Sequence, residues 1–180
     1  MNILLHLCCG PCTISPLTSL REQGISARGF FHNPNIHPFR EFKLRLTAME
    51  AVATAMGFAV EYEKNYGLQE YLRRVVFHEE NRCALCYSMR LEQTAQKALE
   101  LRADAFSSTL LYSRYQNHEK IRKIGEEIGE RLKIPFYYQD FRTGWQQGID
   151  QAIEMGIYRQ PYCGCIYSEQ ERYDKKLGKK

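Results

Sequence analysis

Short apolar runs alternate along the chain with longer segments in which apolar residues recur every three or four positions. The short runs are typical of buried strands, and they lie at 2–7, 26–32, 58–62, 105–109 and 135–139. The longer segments are typical of helices, and they lie at 15–23, 38–56, 67–78, 84–102, 116–132 and 144–155. This alternation predicts an α/β fold, a parallel sheet with helices on both faces.

Two of the predicted helices carry a distinct apolar face. Over 38–56 we expect the face to consist of Leu44, Met49, Val52, Ala53 and Met56. Over 116–132 the face consists of Ile121, Ile124, Ile128 and Leu132. A chain of 180 residues without a repeat or linker is expected to form one domain over 1–180, closing with a C-terminal C-x-C segment and a basic tail that includes Lys175 and Lys180.

The residue types that carry chemistry follow the carboxyl ends of the predicted strands. These segments are CCGPC at 8–12, HNPNIHP at 32–38, STLLYSRYQNH at 108–118 and DFR at 140–142. The carboxyl ends of parallel strands lie at one edge of the sheet, where open α/β sheets bind ligands. The sequence therefore predicts an active site at this edge.

Composition and charge limit the classes of protein to consider. The chain has a net charge of +4, 44% hydrophobic residues and 26% charged residues, values that fit a globular protein and are compatible with nucleic-acid binding. The N-terminal apolar run is too short for a signal peptide or a membrane span, so we expect a cytoplasmic protein with no membrane partner. In a reducing compartment the seven cysteines point to metal ligation or redox chemistry, because structural disulfides are rare there.

Four of the cysteines form two close pairs. Cys8 and Cys9 are adjacent, and Cys83 and Cys86 form a C-x-x-C motif at the start of a predicted helix. Adjacent cysteines form a strained disulfide, but they can reach different irons of a 4Fe–4S cluster, which takes four thiolates. A structural zinc site takes the same number of thiolates and stays an alternative, although an adjacent pair is not typical of a zinc knuckle.

The sequence allows two roles for each of the remaining three cysteines. Cys163 and Cys165 flank one glycine and can close a small, strained disulfide of labile potential, or they can bind a metal. Cys12 is either a further ligand or a small buried residue at a helix start.

Polar residues at the same edge supply the other candidates. His32, Asn33, Asn35 and His37 form a stiff loop predicted to contact substrate. Tyr87, Tyr112, Tyr115 and Asp140 are candidate proton donors, and among them we select Tyr112 and Asp140 as catalytic residues. Four arginines suit phosphate contacts or else an ordinary solvated helix face: Arg82, Arg90, Arg114 and Arg142. The absence of G-x-G-x-x-G and of a P-loop motif leaves dinucleotide and P-loop nucleotide binding without support.

Five motifs in order resemble the QueH-type epoxyqueuosine reductases. They are LLHLCCGPC, FFHNPNIHP, RCALCYSMRL, STLLYSRYQNHEKI and QPYCGCIYS, and together they span residues 4 to 168. The resemblance implies a HUP-like fold, related to adenine nucleotide alpha-hydrolase domains. It also implies the last step of queuosine biosynthesis, the reductive removal of the epoxide oxygen from epoxyqueuosine in tRNA.

The matched motifs also imply roles for individual residues. Cys8, Cys9, Cys83 and Cys86 are implied as ligands of a 4Fe–4S cluster, and Cys163 with Cys165 as a redox-active pair. A second mononuclear iron or zinc, bound by Cys12 or by the C-terminal pair, stays open. The implied partners are the tRNA anticodon loop and an external electron donor. Basic groups such as Arg114 would contact the backbone of the tRNA.

Two other functions stay in competition at this point. One is an iron–sulfur-dependent tRNA thiolation enzyme of the same fold, which would need ATP and is disfavoured by the missing phosphate loop. The other is a non-catalytic zinc or iron–sulfur tRNA-binding module, in which the cysteines serve folding only.

Overall fold

A four-stranded parallel sheet forms the centre of the fold, in the order β3-β2-β1-β4. The computed structural model describes residues 1–174. The strands are β1 (Asn2–His6), β2 (Ser26–Phe31), β3 (Val60–Tyr62) and β4 (Ala105–Ser108). β1 lies between two neighbours, so Ile3, Leu4 and Leu5 are buried, which explains why this strand is a continuous apolar run.

Helices connect the strands and cover both faces of the sheet. They are α1 (Pro11–Glu22), α2 (Phe39–Ala55), α3 (Leu68–Val75), α4 (Arg82–Glu100), α5 (His118–Leu132), α6 (Trp145–Glu154) and α7 (Ile166–Tyr173). α1 packs against α2 and α6, whereas α4 packs against α5. The connection from β1 to β2 and the connection from β3 to β4 cross the sheet in opposite directions. Because such connections are right-handed, the helices α1, α2 and α6 lie on one face of the sheet, and α4 and α5 lie on the other.

The reversal of strand order falls between β1 and β4. The chain moves outward from β1 through β2 to β3, then returns to place β4 on the other side of β1. In open α/β sheets such a reversal opens a crevice beyond the carboxyl ends of the two strands. Here the backbone N–H of Cys8, after β1, donates to Oγ1 of Thr109, after β4, at 3.1 Å.

The fifth predicted strand, over 135–139, is wrong. The segment makes a single parallel bridge between Phe136 and Phe106, with hydrogen bonds from the Phe106 N–H to Pro135 and from the Tyr137 N–H to Phe106. Pro135 has no N–H to donate, and β4 ends at Ser108. The pairing therefore does not extend into a strand.

Two details of the helices also differ from the prediction. Leu44 is 46% exposed, because it lies five positions from Met49 and therefore about 140° around the helix. The helix α7 was not predicted; it begins after Cys165, whose sulfur accepts the N–H of Ser168 at 3.4 Å. The predicted basic tail lies outside the described residues. Within the described residues, no helix combines the length and the hydropathy that crossing a bilayer requires.

Candidate functional site

Three cysteine sulfurs meet at the crevice between β1 and β4. Cys8 and Cys9 follow β1, and Cys12 lies in the first turn of α1, where Pro11 starts the helix. The three Sγ atoms lie within 4.8 Å of one another. Within residues 1–174, no other set of three or more His, Cys, Asp or Glu side chains has its possible ligand atoms this close together. A Cβ at Gly10 would lie 2.7 Å from the carbonyl oxygen of Ala48, so glycine is needed for the turn to pack against α2.

The three sulfurs do not ionise alike. Hydrogen bonds from the thiols of Cys12 and Cys9 hold the pKa of Cys8 well below its usual range, and the Thr109 hydroxyl adds to this effect at 3.4 Å. Burial raises the pKa of Cys9, and the hydrogen bond to Cys8 raises that of Cys12. The site thus favours one thiolate stabilised by two thiols. A metal would replace the two remaining protons, since a ligating cysteine must be deprotonated.

The other four cysteines belong to a second group. Cys83 is exposed and Cys86 buried in the first turns of α4, while Cys163 is exposed and Cys165 buried before α7. Cys86 and Cys165 are part of one small apolar cluster, which also contains Tyr71, Val75 and Met89. Burial raises the pKa of Cys86 to about 12. The structure therefore brings the C-x-x-C and C-x-C motifs together, although Cys86 and Cys165 are 79 positions apart in the chain.

A buried arginine connects the two cysteine groups. Arg90 is 2% exposed, and its Nη1 donates to Sγ of Cys86 at 3.3 Å while its Nε donates to Nε2 of His6 at 3.4 Å. Burial lowers the pKa of His6 to about 3, so this imidazole is neutral and cannot balance the guanidinium. The positive charge of Arg90 lowers the pKa of both Cys8 and Cys86. A buried cation of this kind is stabilised by anionic thiolates beside it.

An ion pair on α2 holds the C-x-C segment in place. Arg45, 2% exposed, donates to Oε1 of Glu41 at 2.7 Å and to the backbone oxygens of Tyr162 and Cys163 at 2.8 Å each. Gly164 has φ of +148°, a conformation that favours glycine. A Cβ there would also lie 3.3 Å from Nη1 of Arg45.

Two glutamines complete the contacts around the sulfurs. Nε2 of Gln160 donates to Sγ of Cys12 at 3.1 Å, and Nε2 of Gln116 donates to Sγ of Cys163 at 3.1 Å. Gln116 lies in the segment after β4, whereas Gln160 precedes the C-x-C motif. These contacts connect the C-terminal segment to the segments that follow β1 and β4.

The loop over 32–38 lies against this site with its polar side chains turned inward. Asn33 donates to the Leu7 carbonyl at 2.8 Å, and the N–H of His37 donates to the Gly164 carbonyl at 2.8 Å. Asn35 lies beside Gly164, with its Oδ1 buried and unpartnered, and the His32 ring stacks on Phe30 at 5.7 Å. These contacts give the loop a structural part in holding the C-x-C segment; its contact with substrate stays a prediction.

The two candidate proton donors lie in different electrostatic surroundings. Tyr112 is buried and donates to the Trp145 carbonyl at 2.8 Å; burial raises its pKa, and the neighbouring sulfurs of Cys12 and Cys9 raise it further. Asp140 is held by Arg142, whose hydrogen bonds lower the pKa of the carboxyl to about 2.

The four arginines predicted to contact phosphate differ in exposure. Arg90 is buried, so the prediction of a phosphate contact is wrong for it. Arg82 pairs with Glu171 and Arg142 with Asp140. Arg114 is exposed and lies over the Trp145 ring, 5.5 Å from its centroid.

Sequence reasoning missed the buried charges and several contacts of the cysteines. The residues it did not single out are His6, Arg45, Gln116, Trp145 and Gln160, and for Arg90 it missed the burial and the contact with Cys86. Arg90 follows Cys86 by four positions, a spacing that places both on one face of a helix and was the available signal. For Arg45 the spacing to Glu41 shows a pair, but nothing local shows that the pair is buried.

Fold and site together define a class: a parallel α/β protein whose switch-point crevice is lined by thiols and a buried cation, as a metal- or redox-dependent enzyme requires. The chain matches the family described as "Epoxyqueuosine reductase QueH" over residues 3–171, and it belongs to this family. It is 38% identical over 174 residues to "Epoxyqueuosine reductase QueH" of Dehalococcoides mccartyi, covering 97% of this chain and 96% of that protein. The protein of the same description from Thermotoga maritima is 36% identical over 184 residues, covering 97% and 93%.

A solved structure shares the fold at low sequence identity. It is described as "predicted subunit of tRNA methyltransferase" from Methanocaldococcus jannaschii, with a TM-score of 0.55 at 15% identity, covering 86% of this chain and 75% of that one. The predicted fold class, an α/β parallel sheet with flanking helices, is confirmed.

Proposed function

We propose that this chain reduces the epoxide of epoxyqueuosine in tRNA, giving queuosine and water. Both carbon–oxygen bonds of the epoxide break, a carbon–carbon double bond forms, and two electrons and two protons are consumed. Family membership supports the reaction class. The observation that carries the proposal for this chain is the sulfur triad of Cys8, Cys9 and Cys12 at the switch point, together with the buried Arg90 that donates to Cys86 of the second cysteine group.

The thiols fit an iron–sulfur cluster. We assign Cys8, Cys9, Cys83 and Cys86 as its ligands because one cysteine of each pair is influenced by the buried guanidinium of Arg90, which donates to Cys86 and lowers the pKa of Cys8, and because the thiolates would offset its charge. Sulfurs that bind different irons need not converge as closely as ligands of one ion. Cys12 lies as close to Cys8 as a shared ion requires, which supports a second iron or zinc. When bound, a 4Fe–4S cluster supplies electrons one at a time.

The C-x-C pair has the stoichiometry that the reaction needs. Oxidation of Cys163 and Cys165 to a disulfide releases two electrons and two protons, the amounts that removal of one epoxide oxygen consumes. An external electron donor then reduces the disulfide and returns the protein to its starting state. Arg45 and Gly164 position the pair against the loop over 32–38.

Tyr112 is the better candidate to protonate the leaving oxygen. Its raised pKa keeps the phenol protonated at neutral pH, and the sulfurs whose charge contributes to that shift are those of the triad. Asp140 is the poorer proton donor, because a carboxyl is already ionised at neutral pH and Arg142 lowers the pKa of this one further, to about 2. His32, Asn33, Asn35, His37 and Arg114 stay proposed contacts of the substrate, and we propose a cytoplasmic location, where tRNA is modified.

Turnover by protein purified without oxygen tests the proposal. We expect about four irons and four sulfides per chain, and conversion of epoxyqueuosine to queuosine in tRNA when a low-potential reductant is supplied. Cys163→Ser should keep the iron and sulfide but lose turnover, whereas Cys86→Ala should lose both. A colourless zinc protein without sulfide would instead support a binding module, and dependence on ATP would support thiolation chemistry.

A further inference from the structure

An exposed tyrosine at the edge of the site lies against a half-buried tryptophan that packs on the core. Tyr115 is 85% exposed, and its ring meets the Trp145 ring edge-on at 5.8 Å between centroids. The guanidinium carbon of Arg114 lies 5.5 Å from the Trp145 ring centroid, and the Tyr112 ring stacks on Trp145 with 5.1 Å between centroids. We call Arg114, Tyr115 and Trp145 the aromatic platform.

The platform is attached to the site on two sides. Tyr112, which donates to the Trp145 carbonyl at 2.8 Å, is the residue whose pKa responds to the sulfur triad. Gln116, next in the chain after Tyr115, donates to Sγ of Cys163 at 3.1 Å. The platform therefore lies beside the proposed reaction site and faces solvent.

Its chemistry matches unpaired RNA bases. Proteins read single-stranded RNA loops by stacking the bases on aromatic rings and on arginine planes. Tyr115 supplies a ring with open faces, Trp145 holds that ring, and Arg114 adds a cation that also suits phosphate. An ordinary core role does not account for Tyr115, because the side chain buries almost none of its surface.

We propose that the aromatic platform stacks an unpaired base of the tRNA anticodon loop next to the modified nucleotide, with Tyr115 as the stacking ring. This inference rests on the proposed function and names the RNA contact that holds the substrate there. The partner it fits is a single-stranded loop, because a base-paired stem offers no free base face.

The chain contains one tryptophan, so Trp145 fluorescence reports the platform directly. The experiment titrates the holoenzyme with a synthetic anticodon stem-loop RNA and with a fully paired duplex of equal length. We expect the stem-loop to quench Trp145 and the duplex to have little effect. The same titrations give dissociation constants without any turnover.

Variants of Tyr115 then separate stacking from charge. Tyr115→Ala should raise the dissociation constant about 5- to 100-fold, as expected for one lost base stack, whereas Tyr115→Phe should restore binding. The salt dependence of binding should be unchanged in Tyr115→Ala and weaker in Arg114→Gln. Leu99→Ala, at an exposed apolar residue near the end of α4, is the matched control and should bind as the unaltered protein does.

Two outcomes would overturn the inference, and they are distinguishable. If the unaltered protein converts epoxyqueuosine-tRNA and Tyr115→Ala still binds the stem-loop with equal affinity, the platform has no stacking role although the proposed function stands. If the unaltered protein neither binds the stem-loop nor converts the tRNA, the proposed function fails together with the inference.

Discussion

Replacement of Arg45 by methionine tests how the C-x-C segment is held. Arg45→Met keeps a side chain of similar length but removes the charge that contacts Glu41 and the backbone oxygens of Tyr162 and Cys163. The carboxylate of Glu41, buried with its partner, then keeps only the hydrogen bond from Tyr158.

The size of the effect follows from these contacts. Two hydrogen bonds from a charged group contribute about 1.5–3 kcal/mol each, and removing one partner of a buried ion pair costs about 3–5 kcal/mol. The two figures describe the same side chain and are not additive. We expect the free energy that holds the segment closed to fall by about 3 kcal/mol, which raises the open population on the order of 100-fold.

Alkylation of Cys165 measures this opening. The thiol is buried in the closed protein, so its rate of modification, followed by peptide mass spectrometry, should rise on the order of 100-fold in Arg45→Met when opening and closing are fast relative to alkylation. Arg28→Met is the control, since Arg28 and Glu61 form an exposed pair at 3.7 Å that contributes about 1 kcal/mol or less. Equal Cys165 modification rates in Arg45→Met and the unaltered protein would refute the assignment of Arg45 as the residue that holds the segment.

Three further changes test other parts of the structure. Arg90→Gln removes the cation that lowers the pKa of Cys8, so in metal-free protein the midpoint pH of Cys8 alkylation should rise; a midpoint that stays or falls contradicts the role of Arg90. His37 has its pKa lowered by burial to about 4, so the unfolded state binds more protons between about pH 4 and 6.5, and the contribution of His37 lowers stability by about 2 kcal/mol as the pH falls from 7 to 5. The buried His6 and His32 act in the same direction, so His37→Leu should remove about 2 kcal/mol of the pH dependence in urea unfolding, whereas the exposed control His78→Gln should leave it unchanged. Gly164→Ala places a Cβ against Arg45 at φ of +148°. It should lower the free energy of unfolding by about 1–3 kcal/mol and reduce turnover while iron content is kept; unchanged turnover would show that the C-x-C segment functions in another backbone conformation.

Local periodicity was sufficient to predict most of the elements of this fold. Four of the five predicted strands exist, because a buried parallel strand such as β1 must be apolar along its whole length. The failure at 135–139 has a physical cause that the pattern does not express. Whether an apolar run forms a strand depends on continued backbone pairing; this segment pairs with β4 through the hydrogen bonds of Phe106, and Pro135 has no N–H with which to extend them.

The sequence alone determined which residue types gather at the carboxyl edge of the sheet and to which family the motifs belong, since both follow from order and spacing along the chain. Only the tertiary structure decided that Cys12 joins Cys8 and Cys9, and that Arg45 reaches Cys163 across 118 positions. The same holds for Arg90, which the sequence shows as one more helical arginine and the structure shows as a buried cation beside Cys86. Burial of a charge and the meeting of distant segments depend on how the layers pack, and no local spacing encodes either of them.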